Sequence, residues 1–184
     1  MNHYSALFCG LFFLYCTSCP AWAQQQRKGE EIQKITPQYT GLLHKQDLMY
    51  SPYTARWFQV FYNHYDPNAE KLALQKIKEH INEFEILCFI GTWCPDSKRE
   101  IPKLYKILEA AKFKMDHFTL YAVDYRKHSQ DQYEDNWNIL RVPTIIFLKD
   151  GKEINRFVEH PLKSLIQDLA NIVSNQPYTN PYQP

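Results

Sequence analysis

The chain has 184 residues, of which 45% are hydrophobic and 15% aromatic. This is enough for one domain with a sizeable core, and it argues against wholesale disorder. Lys and Arg number 21 against 20 Asp and Glu, which gives a formal net charge of +1. Because this balance creates no global field that attracts nucleic acid or an anionic membrane, we expect no nucleic-acid partner.

The beginning of the chain has the features of a secretory signal peptide. Residues 1–23 contain no Lys, Arg, Asp or Glu, carry an apolar stretch at 6–15, and end in a small-x-small A-W-A sequence. The apolar stretch is shorter than the roughly 20 residues of a membrane span. We therefore predict an exported product with residues 1–23 removed and no stable membrane span; a membrane anchor is the less favoured alternative.

Cleavage of this signal would change the cysteine content. Cys9, Cys16 and Cys19 would be lost, and Cys88 and Cys94 would remain. Two cysteines in an exported protein, one of them in a Trp-Cys turn, indicate redox use and not a framework of structural disulfides.

Residues 24–66 are predicted to form an N-terminal extension. The stretch 24–46 is polar and weakly patterned, so we expect a loose arm that packs along the domain. Residues 54–65 carry aromatic side chains at three- and four-residue spacing, which predicts a helix. The aromatic positions are Trp57, Phe58, Phe61, Tyr62 and Tyr65. We interpret them as a packing face, with a ligand-binding surface as the alternative.

Residues 67–175 are predicted to form the main domain. Asp66 and Pro67 supply an N-cap and a first-turn proline for a helix at 68–82, with Leu72 among its inward residues. The further elements are a strand at 86–90, a helix at 97–112 kinked at Pro102, a strand at 118–123, a polar connection with some helix at 124–138, a hairpin of 144–148 and 152–158, and a last helix opened by Pro161 with Leu162 on its buried side.

This order of elements predicts an α/β domain. Strand–helix–strand connections favour parallel pairing, and the hairpin adds an antiparallel edge, so we expect a mixed sheet covered on both faces. Residues 176–184 are rich in proline and have nothing to bury, which predicts a flexible tail.

Two motifs carry a family resemblance. The sequence W-C-P-D-S-K at 93–98 lies on a predicted strand-to-helix turn, and R-V-P-T at 141–144 enters a later strand. Together they resemble the thioredoxin family, and K-R-E-I-P at 98–102 is similar to the exported thioredoxin-like proteins of bacterial envelopes. The resemblance implies a thioredoxin fold, a three-layer mixed sheet with helices on both faces, here with an N-terminal helical extension.

The resemblance also implies roles for particular residues. Cys94 would be the attacking sulfur, and Pro143 would be a cis proline facing it. The backbone around Val142 would pair with an extended substrate, and Trp93 and Pro95 would border the groove. The implied partners are disulfide- or thiol-containing envelope proteins or small thiols, in the periplasm or cell envelope. No cofactor is implied, and the seven histidines show no metal-ligand spacing.

Ser97 stands where a dithiol enzyme has its second cysteine. A serine hydroxyl cannot form a disulfide, although it can donate a hydrogen bond to a thiolate. A thiolate of Cys94 at a helix amino terminus would be stabilised by unpaired N–H groups and the helix dipole. Lys98 and Arg99 act in the same direction, and Asp96 opposes them. Cys94 could therefore form a mixed disulfide that another thiol must resolve.

Cys88 is the internal candidate for that second thiol. One hypothesis places it beneath Ser97, near enough to take part; the favoured alternative is a plain core cysteine. Two functions therefore follow from the sequence. The first is an exported monothiol reductase or isomerase that acts through Cys94. The second is a redox-inactive thioredoxin-fold module that binds extended peptide beside Pro143.

Overall fold

The computed structural model describes residues 38–183. The strands are β1 Gly41–Leu43, β2 Glu85–Ile90, β3 Phe118–Ala122, β4 Thr144–Lys149 and β5 Lys152–Val158. The α-helices are α1 Lys45–Tyr50, α2 Ala55–His64, α3 Lys71–His80, α4 Pro95–Ala110 and α5 Leu165–Val173.

The five strands form one mixed sheet in the order β1-β3-β2-β4-β5. β2 and β3 are parallel, with Cys88 opposite Leu120, as expected for strands joined by a crossover helix. β4 pairs antiparallel with both β2 and β5. At the tip of the β4–β5 hairpin, Asp150 (φ 52°) and Gly151 (φ 72°) both adopt the left-handed conformation that a tight hairpin requires.

The strand β1 corrects the prediction of a loose arm. Gly41 pairs with Ala122 and Leu43 with Leu120, antiparallel to β3, so this segment is the edge of the sheet. A strand of three residues is too short to show an alternating pattern in the sequence. The described part of the predicted extension thus supplies β1, α1 and α2 to the same compact unit as the rest of the domain.

Alternation along the strands divides the buried side chains between two faces of the sheet. Ile86, Cys88 and Ile90 belong to a large cluster that includes buried residues of all five α-helices. Leu87 and Phe89 belong to a smaller cluster on the other face, which residues 124–143 cover. As the sequence predicted, this connection holds some helix, the 3₁₀ helix Tyr133–Trp137. The predicted thioredoxin fold is confirmed.

The aromatic helix α2 packs against α4. Phe58 is fully buried and lies edge-on to Tyr105, with ring centroids 5.8 Å apart. Trp57, Tyr62 and Tyr65 are half-buried and pack around the same core. These contacts support the interpretation of the aromatic stripe as a packing face.

Two helices differ from the prediction in where they begin, and one of them also differs in which side chain it buries. The helix expected at 68–82 is divided into a 3₁₀ turn, α3 and a second 3₁₀ turn, and Leu72 is 83% exposed because Ala73 occupies the inward position. The last helix begins at Leu165 and not at Pro161, because the Ser164 side chain accepts a hydrogen bond from the backbone of Gln167 and caps it.

The tail also differs from the prediction, because it does bury side chains. Tyr178 packs against the large core cluster, and Asn180 is only 4% exposed. The Asn155 amide on β5 donates to the Tyr178 carbonyl at 3.2 Å. Residues 176–183 therefore lie along the last strand of the sheet.

The predicted signal peptide at 1–23 lies outside the described residues. Within residues 38–183, none of the helices combines the length and the apolar character that a membrane crossing requires.

Candidate active site

Cys94 lies where β2 passes into α4. It is the N-cap of the helix, with extended backbone angles (φ −77°, ψ 126°), and Pro95 occupies the first turn. The Cys94 N–H donates to the Gly91 carbonyl at 2.9 Å, and the Cys94 carbonyl accepts from Lys98 N–H at 3.0 Å. Proline has no N–H to lose and its fixed φ suits a first helical turn, so this sequence starts a helix at the cysteine. The sulfur thus lies at the positive end of the helix.

The Cys94 sulfur faces the loop before β4. Its S–H donates to the Val142 carbonyl, with a sulfur–oxygen distance of 3.1 Å. The Val142–Pro143 peptide bond is cis. The loop is held from both sides: the Thr144 hydroxyl donates to the Arg141 carbonyl at 2.7 Å, and Glu159 N–H donates to the Pro143 carbonyl at 2.7 Å.

Ser97 lies in the first turn of α4 and is 1% exposed. Its hydroxyl oxygen accepts a hydrogen bond from the Gly91 N–H at 3.2 Å. Within residues 38–183 no hydrogen bond joins this hydroxyl to the Cys94 sulfur. Ser97 therefore ties the helix to the end of β2, while its own proton stays available for one donated bond.

Trp93 forms one wall beside the cysteine. Its indole N–H donates to the Val123 carbonyl at 3.0 Å, and its ring lies 4.4 Å from that of Tyr125. The Lys127 ammonium is 5.7 Å from the indole centroid. The indole also covers Gly91, where a Cβ would lie 2.5 Å from the ring. The sequence did not single out Tyr125, because an exposed tyrosine in a polar connection carries no periodic signal.

The structure brings the sequence-predicted site residues together. Trp93, Cys94 and Pro95 form the turn, and the cis Val142–Pro143 bond faces it across the sulfur. Their individual roles in binding and reaction stay predictions.

Charges around the first turn of α4 are largely paired. Arg99 contacts Asp96 at 2.6 Å and the fully buried Glu100 at 2.5 Å, and Lys103 lies 3.3 Å from Glu100. The sequence predicted opposite effects of Arg99 and Asp96 on a Cys94 thiolate, and because the two side chains form an ion pair, their charges offset each other. Among the described residues, the Lys98 ammonium has no carboxylate partner and is the unbalanced cation of this turn.

Cys88 lies in the core on the helix-covered face of the sheet, whereas Cys94 belongs to the cluster on the opposite face. Both cysteines are free. Complete burial raises the pKa of the Cys88 thiol, so it stays protonated. Tyr105 of α4 belongs to the same core cluster as Cys88, and burial raises the pKa of its hydroxyl. These surroundings fit the core interpretation of Cys88.

One group of potential metal ligands lies in the connection over the second face. His128, Glu134 and Asp135 could each bring one ligand atom within 4.8 Å of the others. Both Glu134 carboxylate oxygens already accept hydrogen bonds from Ser129. These hydrogen bonds account for the buried Glu134 carboxylate, which stabilises the connection between β3 and β4.

A cysteine at the N-cap of a helix, opposite a cis proline on a mixed five-stranded sheet, defines a thioredoxin-fold thiol protein. The chain belongs to the thioredoxin family, whose family model, described as Thioredoxin, matches residues 46–171. This match begins within the predicted extension, in α1.

Curated relatives and solved structures resemble the same region. A TPR repeat-containing thioredoxin from Arabidopsis thaliana is 31% identical over 108 residues, which is 59% of this chain and 27% of that protein. A thioredoxin from Chlamydia trachomatis serovar D is 32% identical over 73 residues, 40% of this chain and 66% of that protein. The chain thus spans less than two thirds of the length of both relatives.

A crystal structure of a protein of unknown function from Pseudomonas aeruginosa has a TM-score of 0.46 and 17% identity, covering 66% of this chain and 81% of that one. Thioredoxin O2 from Arabidopsis thaliana has a TM-score of 0.32 and 22% identity, covering 50% of this chain and 75% of that one.

Proposed function

We propose that this protein takes part in thiol–disulfide exchange through Cys94 alone, as a monothiol reductase or isomerase. The observation that carries the proposal is the position of the Cys94 sulfur at the start of α4, facing the Val142 carbonyl beside cis Pro143. Membership of the thioredoxin family supports a redox role of this general type.

The reaction has two steps. The Cys94 thiolate attacks one sulfur of a substrate disulfide, forming a Cys94–substrate disulfide and releasing the second substrate sulfur as a thiolate. A small thiol from solution then attacks the mixed disulfide, which frees the Cys94 thiolate. Because Ser97 carries no sulfur, the outside thiol takes the part that a second cysteine plays in a dithiol enzyme.

The place of action in this proposal is the bacterial periplasm or cell envelope. Its support is the signal-like sequence of residues 1–23 and the K-R-E-I-P stretch at 98–102. The partners would be envelope proteins with disulfides or thiols, together with small thiols. Oxidising compartments are where such disulfides persist.

A second candidate function is peptide binding without turnover. The observation that favours it is the low exposure of Cys94, 6%, with its S–H already donated to the Val142 carbonyl. In that case the groove beside Pro143 would hold an extended segment, and Cys94 would not react.

Trapping a mixed disulfide distinguishes the two functions. We expect the full-length protein, with serine at positions 9, 16 and 19, to react with an aromatic disulfide reagent and release about one aromatic thiolate per chain. Added glutathione should then remove the bound half and restore the thiol. The readouts are absorbance of the released thiolate and intact mass.

Matched variants assign the reacting sulfur. Cys94→Ala should abolish the adduct, whereas Cys88→Ala should retain it, because Cys88 is buried on the other face of the sheet. A folded protein that forms no adduct at Cys94 would favour the peptide-binding alternative, and an adduct on Cys88 would contradict the assignment.

A further inference from the structure

Residues 180–183, which we term the strap, lie beside the loop that faces Cys94. The Asn180 side chain is buried and accepts from the Tyr182 N–H at 3.1 Å, and the Asn180 carbonyl accepts from the Gln183 N–H at 3.2 Å. The strap thus folds into a turn of its own and presents Tyr182 toward the rest of the domain.

Tyr182 contacts the loop at Arg141 and also Glu159, the residue that follows β5. Its ring lies 3.9 Å beneath the Arg141 guanidinium, and its hydroxyl donates to the Glu159 carboxylate, with His160 Nδ1 at 3.4 Å. Arg141 itself pairs with Glu159 at 3.2 Å. The phenol, the guanidinium and the carboxylate therefore form one closed group of contacts.

This group is directly connected to the candidate active site. Arg141 precedes Val142, whose carbonyl accepts the Cys94 S–H, and the Glu159 backbone donates to the Pro143 carbonyl. The Glu159 hydrogen bond raises the pKa of Tyr182, with smaller contributions from burial and from charges that include Asp96. Tyr182 thus contacts Arg141, which adjoins Val142, and Glu159, which bonds to Pro143.

The Cys94 sulfur and the backbone that it faces both belong to a buried cluster. Cys94 is 6% exposed and Val142 is 3% exposed. An incoming disulfide has to approach the Cys94 sulfur, and an extended segment has to reach the Val142 backbone, so part of the surroundings has to move first. Trp93 is held by its hydrogen bond to the Val123 carbonyl, its contact with the Tyr125 ring and its packing on Gly91.

The strap is attached more weakly than the other side of the site. Within residues 38–183, the backbone from 177 to 183 makes no backbone–backbone hydrogen bond to the rest of the domain. The segment 177–183, which includes the strap, is attached by side-chain contacts: those of Tyr182, the burial of Tyr178 and Asn180, and the Asn155 amide on the Tyr178 carbonyl. Segments with few backbone bonds open at lower free energy than strands or helices.

We propose that the strap closes the Pro143 end of the groove and is displaced when an extended substrate segment pairs with Val142. Tyr182 is a positioning residue, which acts on the site through Arg141 and Glu159. The inference rests on the groove of the proposed function. Its test measures the accessibility of Cys94 and does not require exchange.

Site-resolved alkylation of the full-length protein tests the proposal. With iodoacetamide, an uncharged probe, Tyr182→Ala should raise the alkylation rate of Cys94 about three- to tenfold, as expected for losing one solvent-exposed hydrogen bond. Tyr182→Phe keeps the ring under Arg141 but lacks the hydroxyl, and should give a smaller increase. Tyr50→Ala, at an exposed tyrosine in α1, is the matched control and should give none.

Cys88 supplies an internal control for unfolding in the same experiment. Because it is fully buried, its alkylation reports opening of the whole domain. A rise at Cys94 without a rise at Cys88 supports the strap. An unchanged Cys94 rate in both Tyr182 variants, or a rise that Cys88 shares, overturns it. Loss of mixed-disulfide formation with the alkylation pattern intact would instead overturn the exchange function alone.

Discussion

Replacing Ser97 by cysteine is expected to create a dithiol reductase. Cys94 is the N-cap of α4 and residue 97 lies three positions later, so the two side chains share one face of the first turn. Side chains at this spacing are close enough to form a disulfide. A second sulfur here would attack the Cys94–substrate disulfide, release the substrate thiolate, and leave a disulfide between residues 94 and 97.

The expected gain is on the order of a hundredfold or more in the reduction of insulin with dithiothreitol as the final reductant. An internal thiol acts at an effective concentration far above that of a thiol in solution, which is the physical source of the gain. The new thiol would take the place of a hydroxyl that is 1% exposed and bonded to Gly91 N–H, so the replacement changes little volume.

Two further variants separate chemistry from packing. Ser97→Ala leaves the buried Gly91 N–H without its acceptor, which should cost about 1–3 kcal/mol of stability and give no reductase activity. The Ser97→Cys, Cys94→Ala double variant should also be inactive. If Ser97→Cys folds but shows no gain, Cys94 is not placed for exchange, and the peptide-binding function becomes the better account.

The fold could be predicted because its signals are local. The apolar run of β2, the turn at Cys94 and the glycine turn after β4 each carry a pattern within a few residues. β1 and α1 could not be predicted in the same way. Residues 41–43 become a strand only by pairing with β3, and α1 has six residues, less than two turns.

The site was predictable only where its residues are neighbours in sequence or belong to a motif. Cys94, Ser97 and Pro143 came from two motifs at a familiar spacing. The place of Tyr182 beside the site could not be predicted from the sequence. Its contacts with Arg141 and Glu159 join a proline-rich tail to segments more than twenty residues away. The tail lacks periodicity, and its order depends on a few side chains that dock on a surface already folded.

Gly91→Ala is expected to destabilise the protein by about 1–3 kcal/mol, the usual cost of overpacking a filled site. The three atoms nearest to an added Cβ all belong to the Trp93 ring, at 2.5 to 2.8 Å. The indole cannot move away freely, because it also donates to the Val123 carbonyl and contacts the Tyr125 ring. Urea unfolding of the two proteins measures the difference in free energy.

A double-mutant cycle with Trp93→Ala tests the cause. Without the ring the clash is gone, and the backbone of Gly91 does not require a positive φ. Alanine should then be neutral or slightly stabilising, since it lowers the entropy of the unfolded chain. The coupling between the positions should therefore be as large as the cost in the wild-type background. A cost that persists without the indole would instead place the constraint in the Gly91 backbone, which donates to Ser97 and accepts from Cys94.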